Sequence, residues 1–182
     1  MLLHSKKIMT GSDLIPFNLK NIDGKFYSEK FLEDKNITII AFICNHCPYV
    51  IAVIERLVNI QNKYRKNGVQ IVAINSNDSD QYPEDSFDNM IKFAEQYNFT
   101  FPYLYDEDQK VASEYEAVCT PDIYVYDKNK KLRYRGRIDD NWKDENSVRE
   151  KDLEKAINQI LNDEEINFEQ IPSMGCSIKW KK

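Results

Sequence analysis

The run Cys44-Asn45-His46-Cys47-Pro48 constrains what this chain can fold into more than any other stretch. It follows an uncharged, mostly β-branched segment, Ile37 to Ile43, whose unbroken apolar character marks a strand buried on both faces. It precedes Val50, Val53, Ile54, Leu57, Val58 and Tyr64, which recur at helical spacing. Proline lacks an amide N–H and has a fixed φ, so Pro48 fits only the opening turn of that helix. Gly68, after Arg65-Lys66, supplies the stop, and Val69 to Ile74 reads as a second buried strand. The sum is a β-α-β unit with a right-handed crossover. A C-x-x-C at the strand-to-helix turn of such a unit reads as a redox dithiol rather than as half of a zinc site.

Composition narrows the class. The 182 residues suit one domain, and 42% hydrophobic with 12% aromatic residues is enough for a sizeable core. A net charge of −5 without a basic face argues against a nucleic-acid partner. No apolar run approaches the ~20 residues of a membrane span, and Met1 to Lys7 lacks the apolar core of a secretory signal. The expectation is a cytoplasmic protein with no membrane partner. Four cysteines are too few for a disulfide scaffold, so catalytic or redox-sensing thiols are expected.

The remaining elements follow in order. Residues 1–11 read as a loosely tied N-terminal arm, 12–162 as one domain and 163–182 as a C-terminal tail containing Cys176. Asp23-Gly24-Lys25 is a turn signal between two short extended runs. The acidic stretch holding Asp78, Asp80, Glu84 and Asp85 reads as a solvated loop, and Pro83-Glu84-Asp85 as a helix start. Phe87, Met90, Ile91, Ala94 and Tyr97 form one apolar helix face. Asp122 to Tyr126 and Leu132 to Ile138 read as paired strands, the second with Arg133, Arg135 and Arg137 on a solvated face. Ser147-Val148-Arg149-Glu150 matches a capping box ahead of a last amphipathic helix from Leu153 to Leu161.

The order strand, Cys-x-x-Cys helix, strand, helix, then Thr120-Pro121 before a hairpin and a last helix resembles the thioredoxin fold. The stretches 42–50, 73–78, 101–106, 119–122 and 134–140, with the Gly175-Cys176-Ser177-Ile178-Lys179-Trp180 tail, are similar to the peroxiredoxin-like branch of the AhpC/TSA (redoxin) family. The resemblance implies an α/β, three-layer α/β/α architecture with a central mixed sheet flanked by helices. It implies a thiol-disulfide oxidoreductase of antioxidant type that needs no cofactor beyond its cysteines and binds no metal. Its substrates would be disulfide-containing proteins or small thiols and peroxides, and its reductant a partner such as thioredoxin or glutathione.

Exchange needs an attacking thiolate and a second thiol to resolve the mixed disulfide, and a helix N-terminus stabilises the thiolate. By analogy with thioredoxins, Cys44 is the exposed attacker and Cys47 the buried resolver. His46 stabilises the neighbouring thiolate, and similar Cys-x-His-Cys sequences in more oxidising enzymes imply a couple more oxidising than thioredoxin's. Thr120-Pro121 is the expected cis-proline loop, facing the dithiol and offering backbone to substrate. Cys119 is either a third thiol of the site or a small buried apolar residue, and Cys176 a resolving cysteine or a bystander. The alternative is a thiol peroxidase: Cys47-Pro48 matches the peroxidatic Cys-Pro, Cys44 stands where the family has threonine, and Arg135 or Arg137 would complete the peroxide site. Zinc binding lacks a second close cysteine pair, and a non-catalytic interaction module would not be expected to keep both cysteines and the Thr-Pro loop.

Overall fold

The computed structural model describes residues 1–6 and 10–182. Leu2–His4 (β1) opens the chain, and a hairpin follows: Asn18–Asn21 (β2), a turn in which Gly24 takes φ +82°, and Phe26–Ser28 (β3). Ile37–Phe42 (β4) leads into Pro48–Ile51 (α1) and Ile54–Tyr64 (α2). Val69–Asn75 (β5), Phe87–Gln96 (α3), Tyr103–Tyr105 (β6) and Lys110–Glu114 (α4) come next. Cys119–Thr120 (β7), Asp122–Tyr126 (β8), Leu132–Arg135 (β9), Asp152–Leu161 (α5) and Met174–Ser177 (β10) complete it.

The main sheet runs β3-β2-β6-β5-β4-β8-β9 and is mixed: β5 lies parallel to β4 and β6, while β8 is antiparallel to β4 and β9. Every residue of β4 is buried, as its sequence requires. Ile37, Ile39 and Ala41 pack into one core with α1, α2, α3 and α5, and Ile40 and Phe42 into the other with Val111 and Ala112 of α4. Helices therefore cover both faces, giving the three layers expected. With each buried isoleucine worth about 1.5–3 kcal/mol, β4 is the strand the dithiol loop is anchored to.

A second sheet, β1-β10-β7, lies where the dithiol leaves β4. Here the arm expected to be loosely tied is instead paired: Leu2, Leu3 and His4 face Cys176, Gly175 and Met174. Residues 7–9 of that arm lie outside the described residues. The tail is also tied down, with Cys176 opposite Thr120 and Ser177 opposite Cys119.

Other departures have local causes. The helix after Pro48 is interrupted where Val53 takes φ −121°, ψ −2°. Ser147 does not cap a helix; its hydroxyl goes to Asp144 in a 3-10 turn, and α5 starts later, at Asp152. Strand β9 stops at Arg135 because Gly136 sits against the Tyr134 hydroxyl and the Ile171 carbonyl, both within 2.7 Å of where a Cβ would be. Its arginines are not a solvated face. Arg135 is 5% exposed, donates to the buried Asp122 carboxylate at 2.8 Å and lies over the Tyr124 ring. Arg137 pairs with Asp152, and Arg133 with Asp127 and Glu165.

Candidate active site

Cys44 lies two residues past the end of β4, and Cys47 is the N-cap of α1 with Pro48 in its first turn. A helix N-terminus leaves backbone N–H groups unpaired and pointing outward, which favours an anion at that position. The loop 119–121 closes over the pair, with the Thr120–Pro121 peptide cis as expected. Cys44 Sγ lies 3.3 Å from Thr120 Oγ1, and Cys47 Sγ 3.1 Å from the Thr120 carbonyl. Both cysteines and Thr120 are thus brought together, but neither cysteine is the exposed member: Cys44 is 1% and Cys47 0% exposed. That corrects the thioredoxin analogy.

The electrostatics correct it further. A hydrogen bond from Cys44 holds the Cys47 thiol down to about 5 against the cost of burial, helped by the backbone N–H groups of Cys176 and Val50 and by the Cys176 thiol. The same bond raises Cys44 far above an ordinary thiol, and burial and the Asp85 carboxylate push it the same way. Of the two sulfurs, Cys47 is the one whose surroundings favour the thiolate, and Cys44 the one whose surroundings favour the thiol. As a thiol Cys47 donates to the Thr120 carbonyl; on ionisation the four donors facing the sulfur replace that bond.

Asp85 is the functional residue that sequence reasoning placed on a solvated loop. It is 0% exposed. One carboxylate oxygen accepts from the Asn45 amide at 2.7 Å, the other from Asn77 Nδ2 at 2.7 Å, and the latter oxygen lies 2.8 Å from His46 Nδ1. Burial raises its carboxyl, but His46, Asn77 and the Asn45 amide outweigh that and hold it below the usual range. In return Asp85 raises His46 above an ordinary imidazole. The imidazole stacks on Tyr82 at 5.7 Å, with the Lys179 ammonium over the far ring. His46 charge is thus matched by Asp85 and does not lower Cys44. No signal within residues 75–86 marks Asp85 as special; the fold alone brings it 40 residues back to Asn45.

Cys44, His46 and Asp85 place one ligand atom each within 4.8 Å of one another. Both Asp85 oxygens are already engaged and His46 Nδ1 faces one of them, so the group is built as a closed polar cluster rather than as an open ligand set. Of the other cysteines, Cys119 is fully buried, and its thiol is raised well above the ordinary value by burial first and Asp122 second. Cys176 is half-buried on β10 and faces Cys47. Arg135 and Arg137 are committed to Asp122 and Asp152. A cavity of about 410 Å³ opens beside the site, lined by Tyr49, Val53, Pro121, Ile138, Trp142 and Met174 among others.

Comparison with known proteins agrees with this geometry. An uncharacterised conserved protein of Geobacillus kaustophilus superimposes with a TM-score of 0.94 at 43% identity, covering 100% of this chain and 97% of that one. A thiol:disulfide interchange protein of Chlorobium tepidum, of the thioredoxin family, matches 85% of this chain and 99% of its own with a TM-score of 0.65 at 17% identity, which establishes the thioredoxin-like fold. The thiol-disulfide oxidoreductase ResA of Geobacillus thermodenitrificans is 26% identical over 69% of this chain and 68% of its own length. The AhpC/TSA family model matches residues 10–135, a span that includes Cys44, Cys47 and the Thr120–Pro121 loop, and the chain belongs to the AhpC/TSA family.

Proposed function

We propose that the protein is a thiol-disulfide oxidoreductase whose Cys44–Cys47 couple exchanges with disulfides of proteins or small molecules. The observation that carries this reading is the geometry of the pair: Cys47 caps the N-terminus of α1, and both sulfurs meet the cis Thr120–Pro121 loop, Cys44 at the Thr120 hydroxyl and Cys47 at its carbonyl. Low thiol pKa stabilises the reduced form and makes the couple oxidising. Relatives named thiol-disulfide oxidoreductase ResA support the same class. The cavity beside Pro121 and Trp142 supplies an apolar seat next to the couple for a substrate side chain. Thioredoxin or glutathione would return electrons, in a cytoplasmic setting, with no chemistry beyond the cysteines.

Thiol peroxidase activity is a second reading, favoured by one observation: the sulfur whose surroundings favour the thiolate belongs to the cysteine that precedes Pro48. Against it, both candidate arginines are held in ion pairs with Asp122 and Asp152. Turnover of hydrogen peroxide and of a model disulfide by wild type, Cys44→Ser and Cys47→Ser decides. Loss of disulfide turnover in both variants, with negligible peroxide turnover in wild type, is the expected result. Peroxide consumption that survives Cys44→Ser identifies a peroxidase, and wild-type protein inert toward both substrates overturns the enzymatic reading.

A further inference from the structure

The C-terminal strand is placed as few tails are. Cys176 is the register partner of Thr120, and the Thr120 carbonyl is the atom that Cys47 Sγ touches at 3.1 Å. Gly175 packs so closely that a Cβ there would fall 1.9 Å from that same oxygen. The tail and the helix-capping thiol therefore converge on one carbonyl group. Main-chain bonds hold the strand on both sides of the cysteine: Ser5 N–H to Ser173, Ser177 N–H to Met1, and Ile178 N–H to Val118. Beyond it, the Lys179 amide donates to Asn77 and the Lys179 carbonyl accepts from Asp78 and Gln109. Cys176 is also the most solvent-accessible of the four cysteines, the other three being buried.

We infer that Cys176 is a third redox thiol, which opens the Cys44–Cys47 disulfide by attacking Cys47 and carries the oxidised bond outward to solvent. This rests on the reading of Cys44 and Cys47 as a redox couple. In the step, the Cys176 sulfur forms a bond to Cys47 Sγ, the Cys44–Cys47 bond breaks, and Cys44 leaves with the bonding electron pair. The proton released by Cys176 ends on Cys44, whose environment favours the thiol. One disulfide is lost and one gained, so no outside oxidant or reductant takes part. The product places a disulfide between a buried sulfur and a half-buried one, where a reducing thiol can reach the outer atom. Cys44 and Cys47, at 1% and 0% exposed, are less accessible than Cys176.

Burial and the neighbouring Cys47 sulfur raise the Cys176 thiol above an ordinary one, and the Cys47 part of that effect is absent once Cys47 is in a disulfide.

The test uses the full chain. Cys44→Ser is oxidised with diamide, free thiols are blocked with N-ethylmaleimide at acidic pH, and the unreduced protein is cut with trypsin. Residues 36–56, 111–128 and 156–179 then carry Cys47, Cys119 and Cys176 on separate peptides. The expected product is 36–56 linked to 156–179 in a protein that stays monomeric on a non-reducing gel. Linkage of 36–56 to 111–128, or Cys47 left open to the blocking reagent, overturns the assignment. Wild-type protein, oxidised and quenched over time, is the second measurement and needs no variant. A growing 36–56 to 156–179 fraction supports the relay, and a Cys44–Cys47 bond that never exchanges overturns it. Failure of wild type to form Cys44–Cys47 at all would instead remove the redox couple itself. That result is distinguishable, because the Cys44→Ser experiment does not depend on turnover.

Discussion

Cys44 and Cys47 are three positions apart on one loop, yet their surroundings are opposite in sign. Around Cys44 the fold places the buried Asp85 carboxylate, which opposes ionisation, and one group that favours it, the Thr120 hydroxyl. Around Cys47 it places the start of α1, the amide and thiol of Cys176 and the Cys44 thiol as donors, against a single acceptor, the Thr120 carbonyl. Burial alone would raise both sulfurs. The difference teaches that in a buried dithiol the nucleophile is chosen by the direction of the donors, not by which sulfur is nearer to solvent.

The harshest way to break the asymmetry is to delete the thiolate. Cys47→Ser should reduce disulfide turnover by on the order of 10³-fold or more, as loss of a nucleophile does, with steady-state kinetics as the measurement. A milder change removes one donor. Cys44→Ala takes away a hydrogen bond to a charged group, worth about 1.5–3 kcal/mol, so the Cys47 pKa should rise by about one to two units. The pH profile of alkylation by iodoacetamide reports it, and an unmoved profile would place the thiolate on another group. The same depressed thiol sets the redox poise. A glutathione titration should give a potential above thioredoxin's, about −270 mV, and a lower value would mean that the donors around Cys47 do not stabilise the reduced form. Asp85→Asn sharpens the other pole. It replaces an acceptor-only group by one whose amide faces His46 or Asn77, costing about 2 kcal/mol in urea unfolding. It should also lower the Cys44 pKa, because the carboxylate that opposes ionisation is gone.

Much of this could be read from residues alone, and what could not has one cause. The apolar run of β4, Pro48 after Cys47, Gly68 at the end of the helix and the Thr120–Pro121 loop each act over a few residues, and each stands where expected. Gly68 does so because its φ of +77° is open to glycine and strained for other residues. The contacts that assign roles act over long separations. Asp85 meets Asn45 across 40 residues and Arg135 meets Asp122 across 13. A lone aspartate in a polar loop carries no mark of burial, and an arginine on an alternating strand looks solvated until its partner is known. The place of Cys176 was open in the sequence because no local pattern says where a tail will lie; pairing with Thr120 fixes that place.

The smallest effect expected is the pH dependence of stability from the His46–Asp85 pair, and it separates cleanly by sign. His46 has its pKa raised in the folded state by Asp85. Its contribution is therefore complete below the unfolded value of about 6.5, and is lost as pH rises through the higher folded value. Because the imidazole is 27% exposed, the loss should stay below about 1 kcal/mol. Cys47 runs the other way: its folded pKa of about 5 lies below the unfolded thiol's, so it adds stability as pH climbs from 5 to the unfolded value. In reduced protein the two trends oppose each other. In protein with the Cys44–Cys47 disulfide those thiols no longer titrate, and below the range in which the unfolded Cys119 and Cys176 thiols ionise the histidine trend should stand alone: stability declining above pH 6.5, and flat in His46→Gln. Urea unfolding of the oxidised protein across pH 6 to 7.5 measures it. A decline that persists in His46→Gln would assign the titration to a different group and leave Asp85 as a purely structural acceptor of the Asn45 amide.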